Sequence, residues 1–143
     1  MKRVLLFVSI IVVALFAYGD DGGRRFTVVL TGAEEAPGPG DPDGIGLAVL
    51  RLNPGQGQVC FDIRVENITL PTTGAHIHEA SAGSPGPIVV PLTAPDESGS
   101  SRGCVEADRE EILEIIRRPE DYYVNVHTLP DFGPGAVRGQ LSR

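Results

Sequence analysis

The chain has 143 residues, with 12 Lys and Arg against 19 Asp and Glu and a formal charge of −7. An acidic chain with no basic run beyond its extreme N-terminus is a poor partner for nucleic acid or an anionic membrane, and a cation is the more natural guest. Three histidines, two cysteines, one methionine and no tryptophan leave few residues able to carry metal or redox chemistry.

Lys2 and Arg3 precede an apolar stretch from Val4 to Ala17, interrupted only by Ser9, and Ala17-Tyr18-Gly19 offers small residues for cleavage. Residues 1–19 therefore read as a signal peptide, too short for a membrane span of about 20 apolar residues. No cysteine follows directly to take a lipid anchor. Loss of Lys2 and Arg3 takes the basic residues from 12 to 10 against 19 acidic ones, a mature charge of −9. The expected destination is secreted, periplasmic or cell-envelope. After a short segment, 20–25, residues 26–143 are expected to form one domain.

Phe26 to Leu30 reads as a strand, and the Gly/Pro-rich run from Ala36 to Gly44 can be neither helix nor inner strand. Glu34 and Glu35 precede that run and Asp41 and Asp43 lie within it, but their spacing lacks the ligand order of a calcium loop. Ile45 to Leu52 and Gln58 to Val65 flank the turn Asn53-Pro54-Gly55-Gln56-Gly57 and read as a hairpin. Val59, Phe61, Ile63 and Val65 alternate with polar residues, as in a strand with one buried face. Asn67-Ile68-Thr69 is formally a glycosylation sequon, with meaning only in a host that uses it.

Gly74 to His78 is the next strand. Alternate residues of a strand share a face, so His76 and His78 present two imidazoles side by side while Ile77 points the other way. Imidazole is a common ligand for zinc and copper, and His127, at the end of Tyr122 to Thr128, is a candidate third donor. Glu79 is a weaker fourth. The competing reading is three polar strand residues satisfied by hydrogen bonds. By parity His127 lies opposite the face of Val124 and Val126.

Pro87 to Leu92, Arg102 to Glu106 and Ala136 to Leu141 complete about eight strands, at the spacing of an all-β sandwich or barrel. One helix interrupts them. Asp108 caps its start with Glu111 placed as in a capping box, Ile112, Ile115 and Ile116 form its apolar stripe, and Pro119 stops it. Cys60 and Cys104 lie in two strands, and in an exported chain a lone cysteine pair is expected to be a disulfide, closing a loop of about 45 residues. That pairing withholds both thiolates from a metal and excludes a blue-copper centre. Ser81, Ser84 and Ser98 lie in Gly/Pro-rich segments without a nucleophile elbow, so no catalytic residue is assigned. Arg138, across the turn Pro130 to Gly135 from His127, is expected near it, anchoring an anion or a carboxylate such as Glu79 or Asp131, with a surface salt bridge as the competing reading.

The succession LTGAEEAPG, GIGLAVLRLNP, QVCFDIRVENI, GAHIHEA, GPIVVPL, RGCVEAD and YYVNVHTLPDFGPGAVRGQL resembles the CHRD domain, first described as a repeat in chordin and widespread in bacterial exported proteins. The resemblance runs from Phe26 to Leu141 and implies a β-sandwich of immunoglobulin-like, Greek-key type with one short crossover helix. It carries no general catalytic assignment. More distantly, GAHIHEA is similar to the copper-binding strand of copper/zinc superoxide dismutases, a family that uses more histidines than this chain contains. A dismutase with a bridged copper/zinc site is therefore excluded. The expected function is a non-enzymatic exported binding or interaction module, with copper or zinc as the candidate cofactor at His76, His78 and His127. The alternative is a small extracytoplasmic copper enzyme or carrier using the same residues. The expected partners are a metal ion or another extracytoplasmic protein.

Overall fold

A computed structural model describes residues 23–143; the signal-peptide expectation for 1–19 lies outside the described residues. Eight strands form: β1 (Arg24–Thr31), β2 (Ile45–Asn53), β3 (Gln58–Glu66), β4 (Gly74–Glu79), β5 (Ile88–Leu92), β6 (Ser100–Glu106), β7 (Tyr122–His127) and β8 (Val137–Gln140). One helix, α1 (Arg109–Arg117), connects β6 to β7. All strand pairings are antiparallel, and they join the strands into one sheet in the order β5-β4-β7-β8-β1-β2-β3-β6.

That order divides the sheet into two four-stranded halves, β5-β4-β7-β8 and β6-β3-β2-β1, joined where Thr31 of β1 meets Arg138 of β8. The chain crosses from one half to the other three times, between β3 and β4, between β5 and β6, and through α1 between β6 and β7. The expected all-β Greek-key architecture with one crossover helix is thus what forms, with a continuous sheet wrapped around its core rather than two separate sheets. Alternation explains the wrapping. Phe26, Val28 and Leu30 of β1, Leu50 and Leu52 of β2, and Val59, Phe61 and Ile63 of β3 are buried in one cluster with Ile77 of β4, Val124 and Val126 of β7 and Val137 of β8. Burying these aliphatic and aromatic side chains is what holds the two halves face to face.

Helix α1 starts as its sequence dictates. Asp108 Oδ1 accepts from the backbone N–H of Glu110 (2.8 Å) and of Glu111 (3.2 Å), satisfying two of the free donors of the first turn. Ile112 and Ile115 enter the core and Ile116 packs against it. The disulfide joins Cys60 of β3 to Cys104 of β6, which are directly opposite in the ladder. No helix among the described residues is long and apolar enough to cross a membrane.

Candidate metal centre

The register of β4 against β7 sets Gly74 opposite His127, His76 opposite Asn125 and His78 opposite Tyr123. Ala75 and Ile77 fall opposite Val126 and Val124 on the core face. By parity all three histidines therefore lie on the outer face of this half of the sheet. Loops cover that face, so it is not a bare surface: His78 is only 7% exposed and Asn125 only 2%. Gly74 makes room for the rings, because a Cβ there would lie 3.0 Å from His76 Cε1 and 3.5 Å from His127 Cδ2.

One candidate nitrogen from each of His76, His78 and His127 falls within 4.8 Å of the other two. Two nitrogens bound to one zinc or copper ion at about 2.0–2.1 Å can be at most about 4.2 Å apart, so a closure of roughly half an ångström would bring the widest pair into range. The backbone fixes two of the three tautomers. His78 Nδ1–H donates to the Gly86 carbonyl (2.8 Å) and His127 Nδ1–H to the Gly133 carbonyl (2.9 Å), since a carbonyl can only accept. Each ring thereby turns an unprotonated Nε2 away from its backbone anchor, as ligand histidines do when their other nitrogen is held by an outer partner. His76 Nδ1 lies 3.0 Å from His127 Nε2 and donates to it. His78 Nε2 is buried with no hydrogen-bond partner.

Burial lowers all three imidazole pKa values. For His76, where the neighbouring His127 and His78 add to burial, the value falls to about 4; for His78 and His127 burial is again the largest cause. The rings are neutral at neutral pH, the form that coordinates metal. They also touch one another: His76 lies edge-on to His78 with centroids 5.4 Å apart, and 4.9 Å from His127.

A second group of residues holds His78 in place. Tyr123 stacks on its ring, with centroids 4.8 Å apart and planes 9° from parallel, and the Tyr123 hydroxyl accepts from Gly86 N–H at 3.2 Å. Arg138 lies on the other face of Tyr123, its Cζ 3.4 Å from the ring centroid. The same guanidinium donates to the carbonyls of Ser84 (2.8 Å) and Ser81 (3.1 Å), and Gln140 Nε2 donates to that of Ala80 (2.8 Å). Arg138 and Gln140 thus clamp from below the loop that presents Gly86 to His78. The surface salt bridge expected of Arg138 does not form, because the residue is only 1% exposed and its partners are carbonyls, a ring and Gln140. Register places it opposite Asn125 rather than His127.

Glu79 does not join the cluster. It follows Ile77 by parity and sits exposed at the strand end opposite Tyr122. The carboxyl facing Arg138 belongs instead to Glu35, whose entry is permitted by the missing side chain of Gly135. Burial raises the Glu35 pKa to about 7, against the lowering effects of Arg138, the Ala36 backbone and Asn125. Glu35 had no signal in the sequence beyond its place beside a loop. Tyr123 and Asn125 did, because they alternate with His127 and must share its face. Among the described residues, the acidic run around Glu34 and Asp43 gathers no three-donor set; the histidines are the one such group.

Comparison with curated proteins and with solved structures gives no match, so the dismutase likeness rests on the GAHIHEA strand alone. The family comparison is positive. The CHRD domain matches residues 26–141, from the first core residue of β1 to the buried Leu141 after β8, and the chain belongs to the CHRD domain family.

Proposed function

We propose that this CHRD domain is an exported, non-enzymatic binding module whose histidine cluster holds one divalent transition-metal ion through His76, His78 and His127. The observation that carries the reading is the unpartnered, buried Nε2 of His78, beside two further imidazoles and stripped of water by the loop over it. A buried polar nitrogen without a partner is costly, and an ion would satisfy it. Nitrogen-only donors suit Cu(II) and Zn(II), with copper favoured by intrinsic affinity. The disulfide fits an oxidising compartment, consistent with export.

Calorimetric titration of the mature protein with Cu(II) and with Zn(II) is expected to show one site, abolished by His76→Ala or His78→Ala and weakened by His127→Ala. Circular dichroism establishes that each variant is folded. Binding unchanged in the folded double variant His76→Ala/His78→Ala would leave the histidines as hydrogen-bonding residues. Retention of copper with reversible electrochemistry would favour the copper enzyme or carrier instead.

A further inference from the structure

The outer face of the other half of the sheet carries a different chemistry. Strand register aligns Arg25 of β1 with Arg51 of β2, Arg51 with Cys60 of β3, and Cys60 with Cys104 of β6. Two arginines and the disulfide therefore form a single row across four strands. Arg102 and Asp62 lie in the next row and pair with each other. These residues line a shallow groove of about 340 Å³ with the disulfide among its walls. Cys104 is exposed on the edge strand and Cys60 is half-buried.

Like charges directly opposite on neighbouring strands destabilise a sheet. Arg25 and Arg51 are such a pair, and among the described residues neither has a carboxylate within ion-pair distance, in a chain whose formal charge is −7. Nothing in the packing of this exposed face requires them. An anionic guest would relieve their repulsion, and the only reactive group within the row is the disulfide.

We propose that this row is a thiol–disulfide exchange site for a small thiol carrying an acidic group, a carboxylate or sulfonate, which the Arg25–Arg51 pair binds beside Cys60–Cys104. The guest's thiolate attacks Sγ of the exposed Cys104, forming a mixed disulfide. The S–S bond breaks and Cys60 leaves as a thiolate with the bond pair, stabilised by Arg51 opposite it and then protonated by solvent. A second equivalent of thiol displaces the first from Cys104, so that two thiols are oxidised to one small-molecule disulfide and the protein disulfide is reduced to two thiols. Seven register pairs join β3 to β6, from Gln58↔Glu106 to Arg64↔Ser100, so the ladder keeps the strands together while the bridge is open. The histidine cluster lies on the other half of the sheet and takes no part.

The test is the rate of disulfide opening in the oxidised, metal-free mature protein with three thiols of different charge: mercaptoethanesulfonate, 2-mercaptoethanol and cysteamine. Rates are read by quenched alkylation and mass spectrometry and normalised to thiolate concentration. The chain's overall acidity favours the cationic thiol, so the two expectations have opposite order. The anionic thiol is expected to react faster than cysteamine by about tenfold at low ionic strength. That preference should collapse in 0.5 M salt, at roughly a 4 Å screening length, and in the folded variant Arg25→Gln/Arg51→Gln. A cationic preference in the parent protein, an anionic preference that survives in the variant, or a disulfide closed to all three thiols under native conditions would overturn the proposal.

Discussion

Burial lifts the Glu35 carboxyl to about 7, and the sign of its effect on stability follows from which state holds the proton. Between its ordinary value near 4.5 and about 7, the native protein keeps the proton and the unfolded chain has lost it. Its contribution favouring the native state is therefore complete below about 4.5 and is lost as pH rises through about 7. Glu35→Gln keeps the shape and hydrogen-bonding capacity without the titration. Urea unfolding at intervals from pH 4 to 8 is expected to show the variant gaining stability relative to the parent as pH rises. A difference constant over that range would mean that the carboxyl binds its proton equally in the folded and unfolded chain.

The loop between β4 and β5 is the element on which the histidine geometry depends most, since Gly86 within it anchors His78 and Arg138 holds the loop through two carbonyls. Arg138→Met keeps much of the buried volume and removes those donors. Such outer partners of metal ligands are commonly worth 10–100-fold in affinity, so the variant is expected to bind Cu(II) or Zn(II) about 10–100-fold more weakly. Faster exchange of the Gly86 amide in the metal-free variant would locate the loss in the loop. Unchanged affinity with unchanged exchange would show that the loop is held without Arg138. This element also marks where sequence reading succeeds and fails. Period-two alternation reveals strands and which side chains share a face, so the sequence places His76 and His78 on one face and His127 on the side away from Val124 and Val126, whereas the pairing of β4 with β7 that joins the three is a long-range contact that alternation does not carry. The β4–β5 loop has no periodicity, and what it covers depends on contacts between residues more than 50 positions apart, as in Arg138 with Ser84 and Ser81. Arg138 was legible as a neighbour of the histidine strand, but its burial was not, because nothing local distinguishes a clamped guanidinium from an exposed one. Glu35 was invisible for the same reason.

For the molecule as a whole, the bridge between Cys60 and Cys104 spans 44 positions and encloses β4 and β5. In the chain-entropy account, closing a loop of that length contributes on the order of 4 kcal/mol by restricting the unfolded chain. Reduction is expected to lower the melting temperature by more than about 10 °C while leaving the far-ultraviolet spectrum at 25 °C unchanged. Differential scanning calorimetry with and without reductant measures the first, circular dichroism the second. A reduced protein that melts at the parent temperature would mean that the unfolded chain is already constrained in this region.

The strand order has a further consequence, in time rather than in space. Among the described residues β1, the first strand in chain order, is bonded to β8, the last, and His76 meets His127 across 51 positions of chain. Sheets whose partners are so distant in sequence fold slowly, in milliseconds to seconds. A chain still being made has its histidines but no cluster, because β7 has yet to pair with β4. On the proposed reading of the cluster, affinity for metal therefore arrives late and all at once, when β7 pairs with β4, so that a half-made polypeptide is blind to an ion that the folded domain holds.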